Sequence, residues 1–208
     1  MNYQPLKYIY QSSGNPEAST LLLLHGTGGD ETDLIPLAKK FGNNFNILSV
    51  RGNVLEHGMP RFFRRLGMGI FDEEDLKFRT HELVNFIKEI ALKEAFNSTK
   101  LIALGYSNGA NIAGSTLVLY PDFLSGSILF RPMLPFKQMP AFQTTKKVPV
   151  FISTGNLDGM VSMSEIQNYI NLLEANQFNI EHHQLNTGHN LTEEDVALAV
   201  KWVHNNFS

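Results

Sequence analysis

The chain contains no cysteine, which excludes disulfides, thiolate metal sites and a cysteine nucleophile. No apolar run approaches the ~18 residues that suggest a membrane span. The stretch from Met1 to Ser13 has no apolar core of the signal-peptide kind. Charge of one sign is also lacking. Lys+Arg 17 against Asp+Glu 20 leaves a net −3, too balanced and slightly too acidic for a nucleic-acid binder. There is no G-x-G-x-x-G fingerprint and no G-x-x-x-x-G-K-[ST] lysine, so a dinucleotide or phosphate loop finds no support. Repeats, low-complexity tracts and long charge runs are absent as well. The expectation is a soluble, cytoplasmic globular protein with no nucleic-acid partner and no membrane span.

What is present is an alternation of strand and helix signals over 208 residues, 43% of them apolar. That length fits one α/β domain spanning residues 1–208, and the alternation predicts a mostly parallel sheet with helices on both faces. Continuous apolar runs bounded by turn residues mark strands buried on both sides. They fall at Ser19–His25, Asn46–Val50, Lys100–Tyr106, Ser127–Phe130 and Val148–Thr154. Leu6–Gln11 reads as an antiparallel edge strand, and Ile180–Leu185, poorer in apolar residues, as a strand near an edge. Helical spacing predicts helices over about Glu31–Lys40, Glu73–Phe96, Asn108–Tyr120, Glu165–Gln177 and Thr192–Asn206. Thr192 with Asp195 is close to a capping box. Arg51–Asp72 and Arg131–Lys147 read as loops.

In open sheets of this kind, ligands bind beyond the carboxyl ends of the strands, so the chemistry is sought there. After the strand ending near Tyr106 comes Gly105-Tyr106-Ser107-Asn108-Gly109, a G-x-S-x-G pattern that opens directly into a helix. A sharp strand-to-helix turn puts the serine backbone in a strained conformation, and the flanking glycines remove the Cβ atoms that would clash. The hydroxyl then stands above the sheet at a helix N-terminus. The pattern alone is weak, and its strand and helix context gives it weight.

A serine needs an adjacent base to become a nucleophile. His81 and His204 fall within helices, on faces expected to be solvated. His182 and His183 are neighbours in a strand, so their side chains point to opposite faces. His25 ends a strand and is expected to support the loop after it, and His57 lies in the long loop. His189, in Thr187-Gly188-His189-Asn190 between a strand and a helix, is the candidate base. The acid that orients it is Asp158, in Gly155-Asn156-Leu157-Asp158-Gly159 just after a strand. Asp122 follows a helix, at the wrong end of the sheet, and Glu181 lies inside a strand. The order Ser107, Asp158, His189 is the Ser…Asp…His order of α/β-hydrolases. Backbone N–H groups should face the oxygen that becomes negative. Asn108, after the nucleophile, supplies one, and Thr27, in His25-Gly26-Thr27-Gly28-Gly29, is chosen for the second.

Together, His25-Gly26-Thr27-Gly28-Gly29, Gly105-Tyr106-Ser107-Asn108-Gly109, Gly155 to Val161 and Gly188-His189 resemble the carboxylesterase/phospholipase family of small α/β-hydrolases, which also holds the acyl-protein thioesterases. The resemblance covers nearly the whole chain, with no inserted cap domain. The segment from Ser49-Val50-Arg51-Gly52-Asn53 through Met59-Pro60-Arg61-Phe62-Phe63-Arg64-Arg65 resembles a bacterial branch of hydrolases associated with hydroquinone or quinone resistance. The resemblance implies a serine esterase without metal or cofactor, often dimeric. It carries the triad over as Ser107, Asp158 and His189, and the oxyanion donors as Thr27 and Asn108.

On the substrate side, Met59, Phe62, Phe63, Leu66 and Phe71 can either wall an apolar acyl or aromatic pocket or pack their loop onto the core. Arg61, Arg64 and Arg65 can attract an acidic substrate or pair with Asp72, Glu73 and Glu74, and the structural role is favoured. Met133 and Leu134 leave another strand end and are expected to line the site. Arg131–Lys147 is too short for a helical lid, which favours an open pocket and soluble esters. The reading is a serine hydrolase of small carboxylic esters. A thioesterase with the same triad and a non-catalytic ligand-binding protein on a hydrolase fold are its rivals. Activity is expected to rise with pH as His189 loses its proton.

Overall fold

The computed structural model describes residues 3–15 and 17–207; Met1 and Asn2, part of the stretch read for a leader, lie outside them. The elements, in chain order, are β1 (Tyr8–Gln11), β2 (Thr20–Leu24), the short α1 (Ile35–Ala38), β3 (Asn46–Val50), β4 (Val54–Glu56), β5 (Met59–Arg61), β6 (Arg65–Gly67) and β7 (Ile70–Phe71). There follow α2 (Glu73–Lys93), β8 (Leu101–Tyr106), α3 (Asn108–Leu119), β9 (Gly126–Phe130), β10 (Pro149–Gly155), α4 (Met163–Ala175), β11 (Asn179–Leu185) and α5 (Glu193–Phe207).

Seven strands form one sheet in the order β1-β3-β2-β8-β9-β10-β11. β1 runs antiparallel to β3 and every other pairing is parallel. Both edge expectations hold, since β1 and β11 are the two ends. Successive residues of a strand face opposite sides, and the leucine run of β2 shows it. Leu22 and Leu24 join the core under α2, α3 and α4, whereas Leu21 and Leu23 join Leu34, Phe41, Trp202 and Val203 under α1 and α5. The sheet is therefore sandwiched between helical layers, which is why the four leucines that follow Thr20 in β2 are all buried. Among the described residues no helical domain is inserted over the sheet's carboxyl edge.

This order fixes where the site can form. From β2 the chain moves outward to β3, then returns to the other side of β2 as β8. The direction of winding reverses between β2 and β8, which is where the loops after two neighbouring strands part and leave a crevice. Leu24 is paired with Gly105, so the glycine-rich loop after β2 and the serine turn after β8 emerge side by side.

Two expectations are corrected. The helix foreseen over Glu31–Lys40 shrinks to Ile35–Ala38 followed by a tight turn over Lys39–Phe41. The Asp30 carboxylate accepts the Thr32 N–H and hydroxyl at 2.7 and 2.6 Å, a local bond that competes with helix, and Pro36 stands at the helix start. The loop 51–72 is not structureless either. It folds into two small hairpins, β4–β5 and β6–β7. In the first, His57 and Gly58 hold φ of 51° and 79°, the two left-handed residues of a type I′ turn. Strands of two or three residues are too short to carry a period-2 pattern, which is why the sequence hid them.

Candidate active site

The turn between β8 and α3 is built by steric exclusion. Ser107 holds φ 52° and ψ −111°, a conformation costing ~1–3 kcal/mol, with its N–H donating to the Phe130 carbonyl at 2.9 Å. A Cβ on Gly105 would sit 2.5 Å from the Gly109 carbonyl oxygen, and one on Gly109 would overlap the carbonyl of Leu24. Both glycines are thus required by close backbone approach, as the pattern implied.

Two further loops bring their side chains to the serine. The loop after β10 closes with the Asp158 N–H on the Gly155 carbonyl at 3.2 Å, leaving Asp158 buried. Asp158 Oδ1 accepts the Met160 N–H at 2.9 Å. The loop between β11 and α5 delivers His189. Its Nδ1 is 2.7 Å from Asp158 Oδ2 and its Nε2 is 2.8 Å from Ser107 Oγ. A carboxylate only accepts, so Nδ1 carries the proton and Nε2 is left to accept from the serine hydroxyl. The three side chains, separated by 51 and 31 positions in sequence, form one continuous hydrogen-bonded line. The arrangement can remove a proton from Ser107 and stabilise the resulting imidazolium.

The loop after β2 is fastened to the first hairpin. Gly28, at φ 85°, donates its N–H to the Pro60 carbonyl at 2.9 Å. Thr27 Oγ1 accepts from Arg61 Nη1 at 2.6 Å. His25 is buried and supports this loop as expected: its Nδ1 lies 2.6 Å from the Gly26 carbonyl and its Nε2 accepts the Gly52 N–H at 3.0 Å. Burial pushes its pKa down, more than the Gly26 bond and nearby acids raise it. Asn108 is the first residue of α3, so its N–H has no intrahelical acceptor. The Asn108 side chain has a job that sequence did not disclose. Its Oδ1 accepts the Phe62 N–H at 2.7 Å, and one turn on, Asn111 Oδ1 accepts the Met133 N–H at 2.7 Å. Two asparagines on a buried helix thereby tie both long loops, 51–72 and 131–147, to the nucleophile's helix. Polar residues amid the apolar run of α3 were the available signal.

The remaining candidates sort by exposure. Phe62 and Phe63 are core residues, at 3% and 0% exposure. Phe62 packs on the His25 ring at 4.7 Å and Phe63 meets Phe71 edge-on at 5.0 Å. They pack the loop and do not wall an open pocket. Met59 is exposed and lies against Gly28. Met133 and Leu134 are half-buried, and Met133 lies beside Gly69. Leu66, Met68 and Ile70 on the second hairpin, and Leu157 and Met160 flanking Asp158, are exposed apolar residues.

The arginines are structural: Asp72 is a partner as foreseen, whereas Glu56 and Asp75 stand where Glu73 and Glu74 were expected. Arg61 is buried against Glu56 at 3.5 Å, Arg65 pairs with Glu56 at 2.9 Å, and Arg64 bridges Asp72 at 3.1 Å and Asp75 at 3.7 Å. His81 meets its expectation only in part: it is half-buried, with its Nδ1 2.7 Å from the Tyr120 hydroxyl. Among the described residues no group of three or more His, Asp or Glu side chains is placed to hold a metal, and no helix is long and apolar enough to cross a membrane.

Against known sequences, the profile of the Phospholipase/Carboxylesterase family matches residues 8–206. The chain belongs to that family. Within reach of it is MhqD of Bacillus subtilis (strain 168), a protein named as a hydrolase, 42% identical over 197 residues that cover 95% of this chain and 97% of MhqD. Among solved structures, the carboxylesterase of Bacillus cereus superposes with a TM-score of 0.94 at 46% identity, covering 97% of this chain and 95% of that one. A carboxylesterase from Mesorhizobium loti gives 0.89 at 27% identity, covering 96% and 94%. Family membership and the sheet order together establish the α/β-hydrolase fold, and the family places the chain among hydrolytic enzymes.

Proposed function

We propose that this protein is a serine hydrolase that cleaves carboxylic esters of small soluble substrates through an acyl-enzyme. The observation that carries the reading is the unbroken line from Ser107 Oγ through His189 to Asp158, with bonds of 2.8 and 2.7 Å. Ser107 attacks the ester carbonyl as His189 Nε2 takes its proton. The N–H groups of Thr27 and Asn108 receive the developing oxyanion, at the helix N-terminus where negative charge is favoured. His189 then protonates the departing alcohol, and the C–O bond breaks to leave Ser107 acylated. Water, deprotonated by His189, attacks the acyl group, the acid is released and Ser107 regains its proton. Asp158 holds the imidazole in the tautomer both halves require. The exposed methionines and leucines nearby support apolar acyl or aromatic groups, since thioether side chains adapt to varied apolar shapes.

The test is hydrolysis of a p-nitrophenyl ester series of rising acyl length. Wild type should turn these over, and Ser107→Ala should lose about 10⁴- to 10⁶-fold in kcat while folding normally. An Ser107→Ala variant that keeps most of the activity contradicts the reading. Matched oxyester and thioester substrates sort esterase from thioesterase, because the same machinery serves both leaving groups.

A further inference from the structure

Arg131 stands immediately after β9, wholly buried, in a left-handed backbone conformation with φ 57°. Its guanidinium grips Asp195 of α5 with two bonds of 2.8 Å, Nη1 to Oδ1 and Nη2 to Oδ2. Nη1 also donates to Ser153 Oγ at 2.5 Å, and that hydroxyl in turn donates to Asp195 Oδ1. The two remaining donors go elsewhere: Nε to the Gly188 carbonyl and Nη2 to the Asn190 carbonyl, each at 3.1 Å. All five N–H groups of the arginine are therefore used, and two of them bracket His189.

The rest of that loop is held in the same way. The His189 carbonyl accepts the Tyr106 hydroxyl at 3.2 Å, and the Thr187 carbonyl accepts the Leu157 N–H at 3.0 Å. Four successive carbonyls, 187 to 190, each have a donor. Two donors come from Arg131, one from the residue before Ser107 and one from the residue before Asp158. Asp195 also exchanges bonds with Thr192 at the start of α5, its Oδ2 accepting the Thr192 N–H at 2.8 Å and its own N–H reaching Thr192 Oγ1 at 3.2 Å. Stability alone does not call for this cluster, because a buried ion pair is commonly matched by apolar residues of similar size. What apolar residues, or a lysine, cannot supply is a planar fork aimed at several fixed acceptors at once.

We propose that Arg131 is the positioning residue for His189: its guanidinium, locked by Asp195 and Ser153, pins the carbonyls on either side of the histidine and so fixes the imidazole between Asp158 and Ser107. The inference rests on the triad reading above. Arg131→Lys keeps the positive charge beside Asp195 but lacks the planar five-donor fork that holds Asp195, Gly188 and Asn190 at once. The expected result is a folded protein whose kcat falls about 10- to 100-fold, the scale of an ångström-level misplacement, with KM changed less than about 3-fold. The rate of fluorophosphonate labelling of Ser107 should fall with kcat.

A readout independent of activity is the proton NMR signal of the His189 Nδ1–H bonded to Asp158. It should be sharp and strongly downfield in wild type and broadened or lost in Arg131→Lys. The double variant Arg131→Met, Asp195→Leu replaces the ion pair by apolar packing. It should show the same losses, and it carries the test if the lysine variant fails to fold. A folded variant of either kind with wild-type kcat and an intact downfield signal overturns the proposal, as does a change confined to KM. Failure of the triad reading is told apart by Ser107→Ala retaining activity, a result that leaves the NMR comparison standing.

Discussion

Ser107 and His189 sit one hydrogen bond apart, yet they are held by opposite means. The serine is fixed by its own backbone. A left-handed turn, two glycines admitting close approach, and a helix beginning at the next residue leave it no other place. The histidine rides on a loop with no such local constraint and is held by the side chains of Tyr106 in β8 and of Arg131 just after β9, the latter braced by Asp195 of α5, and by the backbone of the loop after β10. The nucleophile's placement is thus set mainly by five adjacent residues seated against the neighbouring strands, and the base's placement is a property of the whole sheet edge.

Substitutions can set the two sides against each other. The largest effect belongs to the serine side. Gly109→Ala puts a methyl group onto the Leu24 carbonyl, backbone against backbone with nothing flexible to yield. It should cost about 3–5 kcal/mol, in the upper tail for single substitutions, and remove activity altogether, as read by thermal melting and ester hydrolysis. On the histidine side the counterpart is Asp158→Asn. It leaves the backbone alone, and kcat should fall by about 10⁴ because the wrong imidazole tautomer is favoured, with the melting temperature little changed. A Gly109→Ala protein that melts like wild type would dissolve the distinction.

Asn111→Ala falls between the two in its reach. It strands the Met133 N–H in a half-buried setting and should cost about 1–3 kcal/mol, read by denaturant titration, with kcat reduced far less than in Asp158→Asn. The smallest effect is electrostatic. Burial lowers the pKa of His25 in the folded chain, so below the unfolded histidine value of ~6.5 the unfolded state binds more protons. Stability therefore declines as pH falls from about 6.5 toward the lowered folded value, and is regained as pH rises. His182, also lowered mainly by burial and then by His183, adds to the same slope. His25→Asn should flatten part of that decline in melting curves taken between pH 7.5 and 5.

The same contrast explains what could be read from the sequence. Gly105-Tyr106-Ser107-Asn108-Gly109 was legible because a backbone constraint must be met by particular residues at fixed offsets. The parallel strands were legible because a strand buried on both faces needs an unbroken apolar run, as in Leu21–Leu24. Asp158 and His189 followed from their places just past strands, together with chain order. Arg131 and Asp195 lie 64 positions apart, and no local pattern marks two charged residues as partners. Asp195 showed only as a cap for Thr192, and Arg131 only as the first residue of a proline-rich loop. The hairpins within 51–72 were hidden by their brevity, and Phe62 and Phe63 could be placed in the core only once those hairpins were known. In α1, the Asp30–Thr32 bond overrode a helical pattern that the sequence does contain.

The most direct measurement of the central claim is site-mapped covalent labelling by a fluorophosphonate, on wild type and on His189→Ala. The account predicts a single adduct on Ser107 in wild type, formed rapidly, with labelling in His189→Ala slowed by at least about 10³-fold. Labelling at another residue, or a rate on Ser107 that does not depend on His189, would contradict it.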